Sequence, residues 1–436
     1  FKEKGGRVRS VSLSSGETFS CSSLIITSGT FLNGLIHIGP SSFRAGRLGE
    51  SASKGLTEHL LSFGLISGRL KTGTPPRLLK SSINWDKADI SCGDKHPYPF
   101  SLFRSSNKIK YNMDSFSVKT NPSSHDVLKE SLELSPMFSG KIDAIGPRYC
   151  PSIEDKVVRF SSQNQHSLFL EPEWRGSDQV YLSGFSTSMP QKVQERCLKT
   201  IVGLEKVELI RPGYAIEYDY FPTYQLKNSL ESKIVGGLFF AGQINGTSGY
   251  EEAGAQGLIA GINAALSVLK KSPFIIKRSE GYIGVLIDDL ITKTINEPYR
   301  MFTSRAEHRL SLRPDSAYFR LTKKGFDVGV VDKPLYNKYL GLVSSCNYFE
   351  EKLSKTHFFF KNKKSLLRDL VKQPGFKVSS ALNPSGRIDR FALFAETTKV
   401  KYSGYIDIEK RRVQKVASLE SSLLPKDINY KKIVNL

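Results

Sequence analysis

The segment 236–269 narrows the choice of folds more than any other. Leu238-Phe239-Phe240-Ala241 is a short apolar run of buried-strand type, and Gly242-Gln243-Ile244-Asn245-Gly246-Thr247 is a turn bracketed by glycines. A helix is predicted to follow, with Leu258, Ile259, Ile262, Leu266 and Leu269 as its apolar face and Ser248 and Glu251 at capping-box spacing. Strand, tight turn and helix in this order make the unit of a parallel α/β sheet. Such a turn gathers free backbone N–H groups and the positive end of the helix dipole at one point, which suits phosphate or another electron-rich cofactor group. It also suits a plain strand-to-helix connection, and the segment alone leaves both readings open.

A second strand of the same kind lies near the start. Arg7 to Leu13 alternates, Ser14-Ser15-Gly16 turns, and Leu24-Ile25-Ile26-Thr27 runs out at Ser28-Gly29-Thr30. The strand's exit suits the carboxyl edge of a doubly wound sheet, where ligands lie. Residues 76–145 are rich in Lys, Ser, Asn and Pro with mixed periodicity and read as part of an inserted, partly β domain. From Pro273 onward amphipathic helices are expected, among them 281–294 and 334–354. A chain of 436 residues has room for about three domains at roughly 150 residues each.

Charge adds a partner class. The chain has 63 Lys and Arg against 42 Asp and Glu, net +21, and residues 351–436 hold 19 of those cations against 8 acids. An excess of this size attracts polyanions, nucleic acid first, and it also suits a solvated basic surface. The five cysteines are far apart, with no CxxC pair or Cys/His cluster to chelate zinc, so no metal site is expected and a reducing compartment is. No apolar run approaches the roughly 20 residues of a membrane span.

Two further stretches carry candidate chemistry. In Gly146-Pro147-Arg148-Tyr149-Cys150-Pro151-Ser152-Ile153-Glu154-Asp155-Lys156, a cysteine beside Arg148 precedes a second capping-box spacing, Ser152 to Asp155. A helix start and a guanidinium both favour thiolate, which makes Cys150 the best nucleophile or redox candidate of the five; an inert thiol in a proline-fixed loop fits the same residues. In Glu297 to Arg309, Arg305 and Arg309 are four apart and would share a helix face suited to phosphates. An ion-pair ladder with Glu297 and Glu307 is the other reading, and His308 reads as structural.

Taken together, Gly29 to Leu32, Gly68 to Arg77, Gly146 to Lys156, Arg211 to Asp219, Phe239 to Gln256 and Glu297 to Arg309 closely resemble the MnmG/GidA family, in the family's order and across nearly the whole chain. The resemblance implies an α/β fold: an incomplete FAD-binding, doubly wound domain of the glutathione-reductase type, an inserted α/β domain, and a carboxyl-terminal helical domain. The expected boundaries are 1–75 and 225–272 for the FAD-binding parts, 76–224 for an NADH-associated insertion and 273–436 for the helical domain. It implies an enzyme that places an aminomethyl or carboxymethylaminomethyl group on C5 of the wobble uridine of tRNA. FAD and NADH are the implied cofactors. The implied partners are tRNA and a folate-binding, MnmE-type GTPase, with a homodimer inside a heterotetramer and no membrane. Cytoplasm is the implied location, or the mitochondrial matrix in a eukaryote.

By position in that resemblance, Ser53 and Gln243 match FAD contacts, with Gly242 and Gly246 bracketing the cofactor turn. Gly146, Arg148, Glu154, Asp155, Lys156 and Phe160 match the nicotinamide stretch, and Cys150 matches a cysteine implicated in the reaction. Lys410, Arg411 and Arg412 are the expected RNA-binding cluster. The family's amino-terminal GxGxxG turn has no counterpart, so the chain is expected to begin inside a longer protein, to lack the extreme carboxyl end, and to bind FAD poorly as it stands. Smaller departures are Gly254 for Ala, Trp174 for Gly, and Ser316 and Tyr318 after Arg313-Pro314-Asp315. Two rivals stand beside this reading. A folate- and FAD-dependent tRNA uridine methyltransferase lacks the long helical tail, and a non-catalytic RNA-binding scaffold has no need of Cys150 or Gln243.

Overall fold

The computed structural model describes residues 1–93, 101–103, 113–142, 144–146, 151–294, 297–384, 386–420 and 428. They fall into two compact units: residues 1–275 with 286–302, and residues 276–285 with 303–436.

In the first unit the strands Leu24–Ile26 and Leu238–Phe240 pair in parallel, Leu24 opposite Leu238 and Ile26 opposite Phe240. Leu238, Phe239 and Phe240 are wholly buried, which explains a run with no polar alternation. The helix Tyr250–Val268 packs against this pair. Of its expected face Ile259, Ile262 and Leu266 are buried, whereas Leu258 and Leu269 are exposed and Glu252, Gln256 and Asn263 go inward as well. These three inward positions are polar and hydrogen-bonded, a burial that hydrophobic periodicity does not register. The expected Ser248–Glu251 capping box is also absent. Gly249 is the N-cap, with no side-chain cap, while Ser248 gives both its N–H and its hydroxyl to the Tyr299 carbonyl. The hairpin read at 7–29 is present as Val8–Ser12 and Thr18–Ser20, extended by Lys2–Glu3.

Two antiparallel sheets complete this unit. One has the order Ser41–Arg44, Leu35–Ile38, Tyr214–Tyr220, Gly68–Thr74. The other has six strands in the order Leu209–Arg211, Arg77–Leu79, Gln179–Ser183, Ser167–Pro172, Ser115–Lys119, Asp89–Ser91. Leu78, Val118, Leu168, Leu170, Val180 and Leu182 point from four of the six strands into one core, which the helices Pro122–Glu130, Ile153–Arg159 and Gln191–Leu198 close with Leu128, Ile153, Val157, Val193 and Leu198.

In the second unit the helix expected over 334–354 is present as Lys333–Lys355, with Pro334 in its first turn and Asp332 as its cap. Beside Ala317–Asp327 and Arg387–Glu420 there is also a hairpin, His357–Phe360 with Lys363–Leu366, that the helical reading of the tail missed. Its turn uses Lys361 and Asn362, both at positive φ, in place of the glycine that marks such turns in sequence. Residues 303–313 form a short 3-10 turn at Thr303–Arg305 and then turns, so Arg305 and Arg309 do not share a helix face. Among the described residues no helix is long and apolar enough to cross a membrane.

Gly254 lies exposed inside Tyr250–Val268, with nothing within 4 Å of where a Cβ would stand. Gly254→Ala is expected to raise unfolding stability by about 0.5–1 kcal/mol, because it removes the backbone entropy cost of a helical glycine; denaturant titration measures it.

Candidate functional site

Two polar constellations meet the ends of these elements in the first unit. The first is the turn after Leu238–Phe240. Gly242 has φ 88° and ψ −143°, and Gly246 has φ 76° and ψ 18°, conformations that glycine adopts without strain. A Cβ on Gly246 would stand 3.2 Å from Tyr220 Cδ2. Beneath the turn, the buried amide of Gln256 accepts from Gly242 N (3.3 Å) and Asn245 Nδ2 (2.8 Å). It donates to Thr247 Oγ1 (3.0 Å), which donates in turn to the Gly242 carbonyl (3.0 Å). Gln243 is directed the other way, its Oε1 3.6 Å from the missing Cβ of Gly29, and it lies beside the Tyr218 hydroxyl, which burial pushes up in pKa. The exits of the two parallel strands thus meet at Gln243. Ser53 is stitched nearby, donating from its N to Phe31 O (2.8 Å) and accepting from Asn33 N (3.0 Å).

Two buried oxygens here, Ser28 Oγ and Asn245 Oδ1, have no partner among the described residues. The N-terminus of Tyr250–Val268 has no side-chain cap. The carboxylate of Glu252 folds back against Gly249, accepts from Met301 N (2.7 Å) and faces Arg300 (3.7 Å). Glycine-only backbone, unmet polar atoms and an uncapped helix end fit an electron-rich ligand with hydrogen-bonding groups of its own.

The second constellation is a cleft of ≈ 300 Å³ lined by Lys71, Gly73, Met137, Gly146, Ser152, Asp155, Arg159 and Ser186 to Ser188. Lys71, on Gly68–Thr74, is 6% exposed, and its ammonium donates to the Met137 thioether. Burial lowers its pKa against the opposing pull of Glu154, Asp155 and Glu217. Residues 144–146 dock on this strand through Lys71 N and Ile145 O (3.1 Å). Glu217, paired in register with Lys71, accepts from His37 Nε2 (2.8 Å). Burial would raise its carboxyl, but the His37 hydrogen bond and charge, with Arg69 and the Ala144 N–H, hold it below the usual range.

The nicotinamide stretch is divided by the structure. Gly146 and Asp155 line the cleft, with Asp155 3.6 Å from Arg159. The Ser152 cap on Asp155 N is present (3.3 Å). Glu154 is fully buried behind the wall, holding Ser188 N (3.1 Å) and Ser188 Oγ (3.2 Å), and its Oε2 has no partner among the described residues. Lys156 turns away to the Gly184 carbonyl (2.9 Å), and Phe160 is exposed at the helix C-cap. Arg148 and Cys150 lie outside the described residues. Burial pushes the thiols of Cys197 and Cys346 up to about 12, so neither supplies a thiolate near neutral pH. Among the described residues no group of three metal-ligating side chains is present. Lys71, His37 and Glu217 were not singled out from sequence. Their signal was a charge inside an apolar strand run, as in Leu70-Lys71 and Ile216-Glu217.

In the second unit Lys410, Arg411 and Arg412 are exposed on Arg387–Glu420. Consecutive helical residues are about 100° apart, so the three fan around the helix instead of sharing a face. Lys410 borders a cavity of ≈ 650 Å³ with Arg313, Arg320, Glu396 and Lys399, while Arg411 donates to its own helix at Asp407 O (3.4 Å).

Comparison with known proteins bears on the chain as a whole. The family model described as Glucose inhibited division protein A matches residues 1–272. A tRNA uridine 5-carboxymethylaminomethyl modification enzyme MnmG of Flavobacterium psychrophilum is 44% identical, over 99% of this chain and 73% of its own length. The enzyme of the same name from Karelsulcia muelleri is 46% identical, over 95% of this chain and 69% of its own. A crystal structure of Aquifex aeolicus GidA superposes with a TM-score of 0.88 at 38% identity, covering 99% of this chain and 73% of that one. Identity at this level across both units shows that the chain belongs to the GidA family, whose relatives include the MnmG enzymes.

Proposed function

We propose that this protein is the FAD-dependent subunit that adds an aminomethyl or carboxymethylaminomethyl group to C5 of the wobble uridine of tRNA. The observation that carries this reading is 44% identity, over 99% of the chain, to an enzyme named for that modification. In this reading FAD lies at the Gly242–Gly246 turn, held by the N-terminus of Tyr250–Val268, with Gln243 and Ser53 at its border and Ser28 Oγ and Asn245 Oδ1 as acceptors. The flavin supplies hydride transfer. The protein's part is to fix the turn from below through Gln256, to keep Gln243 against Gly29, and to present the Lys71 cleft as the place where NADH or the uridine ring is received. Cys150, which lies outside the described residues, is assigned the reacting thiol on the strength of the family resemblance. The MnmE-type GTPase, the dimer and a cytoplasmic location in a bacterial-type cell complete the proposal. The methyltransferase and scaffold readings have no observation in their favour.

Three outcomes test it. In the full-length protein, Gly246→Val places a β-branched residue at φ 76° against Tyr220 and is expected to cut flavin occupancy severalfold; an unchanged flavin spectrum would put the cofactor elsewhere. Cys150→Ser is expected to lose uridine modification while keeping fold and flavin, since a hydroxyl does not ionise near neutral pH; wild-type activity would reduce the residue to packing. Replacing Lys410, Arg411 and Arg412 by Gln is expected to lower the slope of log tRNA affinity against log salt by about 1–2, because fanned side chains cannot all reach one backbone. Identical slopes would take these residues off the RNA surface.

A further inference from the structure

Lys71 is a buried cation whose hydrogen-bond partner is a thioether, a weak acceptor, and no carboxylate of the described residues forms an ion pair with it. An ammonium held this way costs stability, and replacing it by an apolar side chain of similar shape ought to be neutral or stabilising. Its position therefore asks for a ligand.

The cleft's charges restrict what that ligand is. The lining carries two cations, Lys71 and Arg159, against two carboxylates, Asp155 and Glu297, so neither an added anion nor an added cation meets a net opposite charge. What remains is a neutral polar molecule. Lys71, on the strand, is a pure donor and Asp155, on the helix Ile153–Arg159, a pure acceptor; both border the same ≈ 300 Å³ without pairing to each other. A donor and an acceptor flanking a space for one ring match the two ends of an amide unit.

We propose that Lys71 and Asp155 recognise a planar ring bearing an amide unit, the Lys71 ammonium donating to its carbonyl oxygen and the Asp155 carboxylate accepting from its N–H. Two rings of the proposed reaction have this chemistry, the nicotinamide of NADH through its carboxamide and uracil through its imide, and only the choice of these two rests on that reading.

The test measures dissociation constants of NADH and of uridine 5′-monophosphate for the wild type, Lys71→Met and Asp155→Asn, together with melting temperatures. The expected result is at least tenfold weaker binding of one ligand in both variants, with Lys71→Met melting no lower than the wild type. Loss confined to NADH assigns the cleft to nicotinamide, and loss confined to the uridine nucleotide assigns it to uracil. If Lys71→Met does not fold, Lys71→Gln carries the comparison. Binding of both ligands within twofold of wild type in the variants, or no binding of either to the wild type, overturns the proposal. Because the readouts are binding constants, failure of the wild type to modify uridine would count against the proposed reaction and leave this comparison intact.

Discussion

The antiparallel ladder between Gly68–Thr74 and Tyr214–Tyr220 is the constraint on which both candidate sites depend. Side chains alternate across a strand, so this one pair of strands shows a different set of residues to each side. Gly73, Ala215 and Lys71 border the cleft, with Glu217 opposite Lys71. Leu70 and Tyr220 abut Gly246, and Tyr218 lies beside Gln243. A slip of one residue would move Lys71 to the glycine turn and bring Leu70 into the cleft. The buried acids of the central strand pin the register: Glu217 to His37, and Asp219 to Arg69 and Asn33, both at 2.7 Å.

How much of this was legible in the sequence follows from which forces sequence patterns record. The Leu238–Phe240 strand, its glycine turn and the Ser152 cap were readable because each rests on local chemistry: apolar run, positive φ, side-chain oxygen before a helix. The buried face of Tyr250–Val268 was read only in part: Ile259, Ile262 and Leu266 go inward as expected, but so do Glu252, Gln256 and Asn263, which accept from the backbone N–H groups of Met301, Gly242 and Phe274. The hairpin at 357–366 was missed because Lys361 and Asn362 take up positive φ without glycine.

The candidate site was legible in a different proportion. Family motifs pointed to Gln243, Gly246 and Asp155, and the structure brings the first two to one turn and the third to the cleft. They also pointed to Lys156, which turns to the Gly184 carbonyl. Consecutive helical residues cannot share one target, so a motif read as a string contains residues with unrelated tasks: Glu154 braces Ser188, Asp155 borders the cleft, and Lys156 ties the helix to a neighbouring strand's end. Lys71 was invisible as a candidate because its meaning lies in which partners it lacks, a property of packing and not of sequence.

The pairing of Leu24–Ile26 with Leu238–Phe240 has a consequence for the order of events as the chain is made. The first strand leaves the ribosome long before its partner, with the entire six-stranded sheet synthesised in between. At typical elongation rates that interval is roughly 10–40 s, ample time for the intervening sheet to fold and to bring the two ends of its segment together. The loop-closure entropy of the long-range pair is then largely spent before the second strand emerges. The glycine turn forms after that sheet and is closed by Tyr299, later still in the chain, so the cofactor proposed for it would be captured only after most of the polypeptide that surrounds it has taken shape.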